Sequence, residues 1–146
     1  MTALFEHSPW VEARADARPA TGDRHADLMA VVHAASADEQ LALIRAHPEL
    51  AGKAAIDRIL TAASAAEQAS AGLDQLSEAE FARFHALNAA YRERFDFPFI
   101  ICVRLTDKAG ILAAMEQRLR NDRESEIVTA IAQIGEIVRL RLEDQA

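Results

Sequence analysis

Residues 122–143, DRESEIVTAIAQIGEIVRLRLE, decide the fold class, because their apolar side chains recur at helical spacing. The apolar positions that share one face of this helix are Ile127, Ala130, Ile131, Ile134, Ile137 and Val138. A helix with such a face is stable when other elements cover it. Alanine-rich stretches such as residues 62–66 also favour helix over strand. The sequence therefore predicts an all-α protein.

The other helices are predicted from cap residues and helix breakers. Ser36, Ser64 and Ser77 each begin a Ser-x-x-Glu capping box, and Ser8 before Pro9 has the pattern of an N-cap. Gly72 is expected to end a short helix. The predicted helices outside the last one are residues 9–18, 24–35, 39–46, 51–60, 64–71, 78–95 and 107–120. We expect one compact bundle of six to eight helices, forming a single domain over residues 1–146.

Composition excludes several classes of protein. Lys and Arg number 16 against 23 Asp and Glu, which gives a net charge of -7 and disfavours binding to nucleic acid. The apolar run at residues 97–103 is predicted to be an extended core segment, and it is far shorter than the ~20 residues that span a membrane. Cys102, the one cysteine, lies in this run and is expected to be a buried thiol. We therefore expect a cytoplasmic protein.

His47 and Glu67 are the candidates for acid–base chemistry. His47 follows Leu43 and Ile44 by four and three positions, so its ring is expected to lean toward the apolar side of that helix. It could be a core histidine or a catalytic one. Glu67 could act in catalysis or simply close its capping box. With Gln68 and the first-turn amides, it would favour an anion or a carbonyl.

Other kinds of site find little support in the residues. The sequence has no Gly-rich phosphate loop, no nucleophile elbow and no pair of histidines at metal-ligand spacing. Arg139 and Arg141, in the last turns of the final helix, could balance the helix dipole or bind a carboxylate. From residue chemistry alone, the chain is a small helical protein with a possible acid–base site.

The order of five motifs indicates a family. The motifs are SPWV at residues 8–11, LIRAHPELAG at 43–52, LTAASAAEQ at 60–68, LNAAYRERFDFPFI at 87–100 and RL at 141–142. In this order they strongly resemble the OHCU decarboxylase family, whose members act on 2-oxo-4-hydroxy-4-carboxy-5-ureidoimidazoline in the last step of urate breakdown to (S)-allantoin. The resemblance implies an all-helical homodimer that needs no metal and no organic cofactor.

The resemblance also implies roles for individual residues. His47, Glu67 and Arg141 match the catalytic residues, with Arg141 matching better than Arg139. The positions that match substrate-lining residues are Pro48, Ser64, Ala65, Ala66, Gln68, Phe99, Ile100, Ile101, Cys102 and Val103. One position departs from the family pattern, since Asp96 stands where Gly is expected, although Asp tolerates a left-handed backbone better than most residues.

These roles define a mechanism and its alternatives. His47, with an ordinary pKa near 6.5, is expected to exchange protons with the substrate, while Glu67 holds the substrate hydroxyl and could orient the imidazole. A non-catalytic helical module that binds a ureide or a partner protein is the alternative. A hydrolase or deaminase of a related ureide is a second alternative, and the lack of a metal-binding pattern argues against it.

Overall fold

The described part of the protein consists of helices joined by turns and loops. A computed structural model describes residues 4–5, 7–50 and 62–145, and within these ranges it contains no strand. The helices are α1 Trp10–Asp16, α2 Arg24–Ala34, α3 Ala37–Arg45, α4 Ala62–Ser70, α5 Glu78–Phe95, α6 Lys108–Arg118 and α7 Arg123–Gln145. A single 3₁₀ turn, Val103–Leu105, precedes α6. The all-α prediction is confirmed, and the helix predicted at residues 51–60 lies outside the described residues.

Two of the three predicted capping boxes are present. Ser36 accepts a hydrogen bond from the Glu39 amide at 3.1 Å, and the Glu39 carboxylate accepts one from the Ser36 amide at 3.1 Å. Ser77 and Glu80 form the same reciprocal pair at the start of α5. These bonds satisfy amides that have no partner inside the helix, which fixes both starting points.

The third box, at Ser64, is a wrong prediction. Helix α4 is already formed at Ala62, the first described residue after position 50, and Ala62 and Ala63 are good helix formers. Ser64 therefore lies inside the helix, and its hydroxyl accepts a bond from Arg141 instead. The amides of Ala66 and Glu67 belong to the helical ladder and are not free to bind an anion.

The first helix differs from its prediction in a smaller way. It begins at Trp10, with Pro9 in the capping position, and no side chain caps it. Ser8 is buried, and its carbonyl accepts the Val11 amide at 3.4 Å. The predicted helix is present, but the predicted Ser8 cap is wrong.

Two residues with positive φ make the turns that follow helices α4 and α5. Gly72, at φ +79°, ends α4, and the Leu73 and Gly72 amides bond back to the Gln68 and Ala69 carbonyls. Asp96, at φ 61°, ends α5, and its amide donates to the Arg92 carbonyl at 2.8 Å. The turn after α5 therefore forms with Asp96 in the left-handed region, although the family pattern has Gly at this position.

The core contains the apolar face of α7 together with the aromatic segment that follows α5. Helices α2 and α3 pack against α7, and α5 packs against α6. After Asp96 the chain has no helix or strand from Pro98 to Cys102, and it is buried for most of its length, as predicted. In the described ranges no helix is both long and apolar enough to cross a membrane. The extended segment passes between helices and forms one wall of a pocket.

Candidate active site

His47 lies just after α3, at the place where Pro48 prevents the helix from continuing. Its amide donates to the Ile44 carbonyl at 3.1 Å, which closes a last turn beyond the helix. Only 6% of the residue is exposed to solvent. Nε2 of the imidazole is buried and has no hydrogen-bond partner. The ring therefore keeps one nitrogen available in a site from which water is largely excluded.

Glu67 on α4 and Arg141 on α7 form a two-point ion pair. Arg141 donates from Nε to Glu67 Oε2 at 2.9 Å and from Nη2 to Oε1 at 2.7 Å. The Arg141 side chain is 2% exposed and that of Glu67 is 12% exposed. This fork geometry is the strongest form of Arg–carboxylate contact, and it fixes both side chains in the pocket.

Further contacts hold Arg141, and they distinguish it from Arg139. The Arg141 guanidinium also donates to the Ser64 hydroxyl and to the Leu4 carbonyl, each at 3.2 Å. Arg139 instead pairs with Glu136 and Glu143 on the surface of the same helix. Of the two candidate arginines, Arg141 is the one that the structure places in the pocket.

One pocket brings most of the predicted site residues together. The predicted residues that line it are His47, Pro48, Ser64, Glu67, Gln68, Phe99, Ile100, Ile101, Cys102, Val103 and Arg141. Ala65 and Ala66 are exposed on α4 and lie outside this lining, because only one face of the helix meets the pocket.

Three lining residues were not predicted: Leu50, Arg104 and Ile137. Ile137 lies four residues before Arg141 on α7, so helical spacing places both on the same side and could have identified it. Leu50 belongs to the same motif as His47. Arg104 carries no comparable signal, because its position depends on the 3₁₀ turn and on its ion pair with Asp144.

Side chains from α6 and α7 form hydrogen bonds with the backbone of residues 99–103, which form one wall of the pocket. Arg118 on α6 donates from Nη1 to the Ile100 carbonyl at 2.7 Å. Gln133 on α7 accepts the Cys102 amide at 2.9 Å. Because this segment is not part of a sheet, bonds of this kind fix its position. Residues of α6 and α7 that do not line the pocket thus fix the position of this wall.

Burial changes the acid–base behaviour that the sequence predicts for His47. Loss of water around the ring lowers the pKa of His47 from 6.5 to about 3, and the nearby charge of Arg141 adds to the effect. The ordinary value near 6.5 therefore does not hold in this pocket, where the imidazole is neutral at pH 7. Nε2 of the ring has no hydrogen-bond partner among the described residues, so Glu67 does not orient the imidazole through this atom.

Cys102 and the acidic groups give no separate site. Burial raises the pKa of the Cys102 thiol, and the nearby Glu67 carboxylate adds to this, so the thiol is protonated at neutral pH. In the part of the chain that the structure describes, no three residues among His, Cys, Asp and Glu are arranged to hold a metal ion.

Comparison with known proteins gives a family match and several similar chains. The family model described as OHCU decarboxylase matches residues 1–143. A 2-oxo-4-hydroxy-4-carboxy-5-ureidoimidazoline decarboxylase of Haloferax volcanii is 41% identical over 145 residues, which are 97% of this chain and 84% of that protein.

Two solved structures are similar over nearly the whole chain. A crystal structure of (S)-allantoin synthase has a TM-score of 0.70 at 32% identity, over 97% of this chain and 46% of that one. A crystal structure of OHCU decarboxylase in the presence of (S)-allantoin has a TM-score of 0.73 over 94% of this chain and 91% of that one. At 19% identity, the second likeness concerns the fold alone.

Proposed function

We propose, because the chain belongs to the OHCU decarboxylase family, that His47, Glu67 and Arg141 carry out its reaction in the pocket described above. The reaction decarboxylates 2-oxo-4-hydroxy-4-carboxy-5-ureidoimidazoline to (S)-allantoin in urate degradation. One observation carries the assignment of residues: an unpartnered imidazole and a carboxylate–guanidinium pair, from separate parts of the chain, line the same small cavity.

The pocket offers both donors and acceptors to this substrate. Each oxygen of Glu67 takes one N–H from Arg141 and retains lone-pair capacity for a substrate O–H or N–H. Arg141 supplies a fixed positive charge that attracts the substrate carboxylate into a protein with a net charge of -7. Gln68 also lines the pocket, and its side-chain amide contains both a donor and an acceptor.

Loss of CO2 breaks the bond between the carboxylate and the ring carbon that bears the hydroxyl. The electron pair of that bond forms a double bond to the ureido carbon, and the ring nitrogen of the former C=N group takes up a proton. Phe99 and Ile100 exclude water from this part of the pocket. Weaker solvation of the carboxylate favours its departure as neutral CO2.

His47 then transfers the proton that completes the reaction. Its neutral imidazole accepts the hydroxyl proton as the carbonyl forms and passes that proton to the ureido carbon. The proton that the ring nitrogen takes up comes from solvent and balances the charge of the lost carboxylate. Because the ring is fixed on one side of the pocket, delivery occurs on one face and gives one enantiomer.

The test uses the unstable substrate, generated from urate with upstream enzymes, and follows the absorbance decay and the optical activity of the product. We expect His47→Ala to fold and to lose about 10²-fold or more of the enzymatic rate. His25→Gln is the matched control, because His25 is a part-buried histidine that bonds to the Gly135 carbonyl outside the pocket. Wild-type turnover in His47→Ala would remove His47 from the mechanism.

We further propose that the protein works as a cytoplasmic homodimer, as the family resemblance implies. Its one cysteine is a free, buried thiol, which suits a reducing compartment. Sedimentation equilibrium over a range of concentrations tests the dimer, and a species of 16.0 kDa at all concentrations would contradict it.

A further inference from the structure

A buried polar cluster lies behind the wall of the pocket. Arg118 donates from Nε to Glu126 Oε1 at 2.9 Å, and the Tyr91 hydroxyl donates to the same oxygen. Asn121 donates to the other carboxylate oxygen at 2.9 Å. The Glu126 side chain is fully buried, so its charge is stabilised by these donors and not by water.

Arg118 connects this cluster to the pocket. Its Nη1 donates to the Ile100 carbonyl at 2.7 Å, and its guanidinium carbon lies 4.3 Å from the centre of the Phe99 ring. Phe99 and Ile100 both line the pocket, whereas Arg118 is not among the lining residues. Arg118 therefore contacts two adjacent wall residues: it binds the backbone of Ile100 and packs against the ring of Phe99.

We propose that Arg118 is a positioning residue for the reaction: through Ile100 and Phe99 it sets the depth of the pocket and hence the face on which the intermediate is protonated. This inference rests on the proposed function. The wall forms no sheet or helix at these two positions, so its distance from His47 depends on such contacts. Displacement of a reacting group by about 1 Å can cost 10²-fold in rate.

Stability alone does not explain the arrangement. Arg118 Nη2 is buried without a hydrogen-bond partner, which is a cost that an apolar side chain would avoid. Buried ion pairs are commonly no more stabilising than apolar replacements of similar volume. A planar, charged side chain at this position is better explained by the two fixed contacts that it makes to the wall.

Arg123 provides a matched control on the same aromatic segment. Its Nε donates to the Phe95 carbonyl at 3.1 Å, and its guanidinium carbon lies 5.7 Å from the centre of the Phe97 ring. These contacts resemble those of Arg118, but neither Phe95 nor Phe97 lines the pocket. If substitution only loosens the aromatic segment, variants of Arg118 and Arg123 should lose activity alike. If Arg118 positions the wall, only the Arg118 variants should lose activity.

The experiment compares Arg118→Lys, the double variant Arg118→Met with Glu126→Gln, and Arg123→Lys with the wild type. Lysine keeps a charge beside Glu126 but loses the planar fork, and the double variant removes both charges together. We expect both Arg118 variants to fold, to lose about 10- to 100-fold in kcat with little change in KM, and to yield allantoin of lower enantiomeric excess. Arg123→Lys should retain the wild-type kcat and enantiomeric excess.

Each outcome decides the inference. Wild-type kcat and enantiomeric excess in the Arg118 variants would overturn it, as would equal losses in Arg123→Lys. If the variants do not fold, arginine side-chain NMR of the wild type titrated with (S)-allantoin decides, because Arg118 signals should shift and Arg123 signals should not. An inactive wild type would count against the proposed function, and the NMR result would still test the coupling of Arg118 to the pocket.

Discussion

The described part of the chain contains two buried Arg–Glu pairs, and the difference between them distinguishes a candidate site from a structural element. Arg118 and Glu126 lie in the core, where the Glu126 side chain has no exposure to solvent. Arg141 and Glu67 lie in the pocket, where the Glu67 side chain is 12% exposed. The chemical groups are the same, so their surroundings decide what each pair can do.

The two carboxylates differ in how many hydrogen bonds they accept from different protein side chains. Glu126 receives hydrogen bonds from Arg118, Tyr91 and Asn121, which leaves it no surface toward a ligand. Among the described residues, Glu67 receives hydrogen bonds from Arg141 alone. A buried carboxylate with unused acceptor capacity beside a cavity is a candidate for substrate binding, whereas a saturated one stabilises the fold.

Breaking the core pair should have the largest effect. We expect Glu126→Ala to lower the free energy of unfolding by about 3–5 kcal/mol, because Arg118 would be left as a buried charge without a counterion. Urea unfolding followed by circular dichroism measures this. The control is Glu136→Ala, which removes the exposed partner of Arg139 and should cost at most about 1 kcal/mol. Equal losses in the two variants would contradict the distinction.

Breaking the pocket pair should instead affect the reaction. We expect Glu67→Gln to reduce kcat/KM by about 10²-fold, equivalent to ~2.7 kcal/mol in the barrier, while the fold is retained. The neutral amide no longer attracts the substrate O–H strongly, although it preserves the shape of the side chain. Glu143→Gln, on the exposed side of α7, is the control and should keep full activity. Full activity in Glu67→Gln would exclude the carboxylate from catalysis.

Acid should reveal the environment of the pocket through His47. Its pKa is about 3 in the fold and 6.5 when unfolded, so between these values the unfolded chain binds the extra proton. Stability is therefore full above pH 6.5 and falls as the pH drops toward 3, with a contribution from this residue of about 1.4 kcal/mol per pH unit. Urea unfolding between pH 6 and 4 measures the slope. We expect a shallower slope for His47→Gln, and an identical slope would show that the histidine does not titrate as its burial predicts.

The turn at Asp96 lies outside both pairs and should give the smallest effect. Its left-handed backbone suits Gly and disfavours Ala, so Asp96→Ala should cost about 1 kcal/mol. Asp96→Gly should change stability by no more than about 0.5 kcal/mol, since the ion pair with Arg45 that it removes is exposed. Thermal unfolding compares the stability of the two variants. A greater loss of stability in Asp96→Gly than in Asp96→Ala would show that the ion pair with Arg45 contributes more than the backbone preference.

Much of the fold could be predicted because local rules act within a few residues. The boxes at Ser36 and Ser77 and the stop at Gly72 depend only on their immediate neighbours. The box at Ser64 was wrong because the same pattern occurs inside a helix when good helix formers precede it. A capping pattern identifies a start only where the preceding residues do not continue the helix.

The site was predicted through motifs, but its energetics were not. The order of the motifs placed His47, Glu67 and Arg141 among the candidates, and all three line one pocket. The lowered pKa of His47 depends on burial and on a charge 94 residues away in sequence, which spacing alone does not reveal. The role inferred for Arg118 was missed for a similar reason, since a cation near a helix end is already explained by the helix dipole.

The way the wall is held also bears on engineering. The Ile100 carbonyl and the Cys102 amide are bound by side chains from other helices, so their positions are fixed by groups other than the side chains of Ile101 and Val103. Libraries that vary Ile101 and Val103 should therefore yield folded variants. Smaller residues there would widen the cavity for bulkier ureides, at a cost in stability where the replaced side chain is buried, as that of Val103 is.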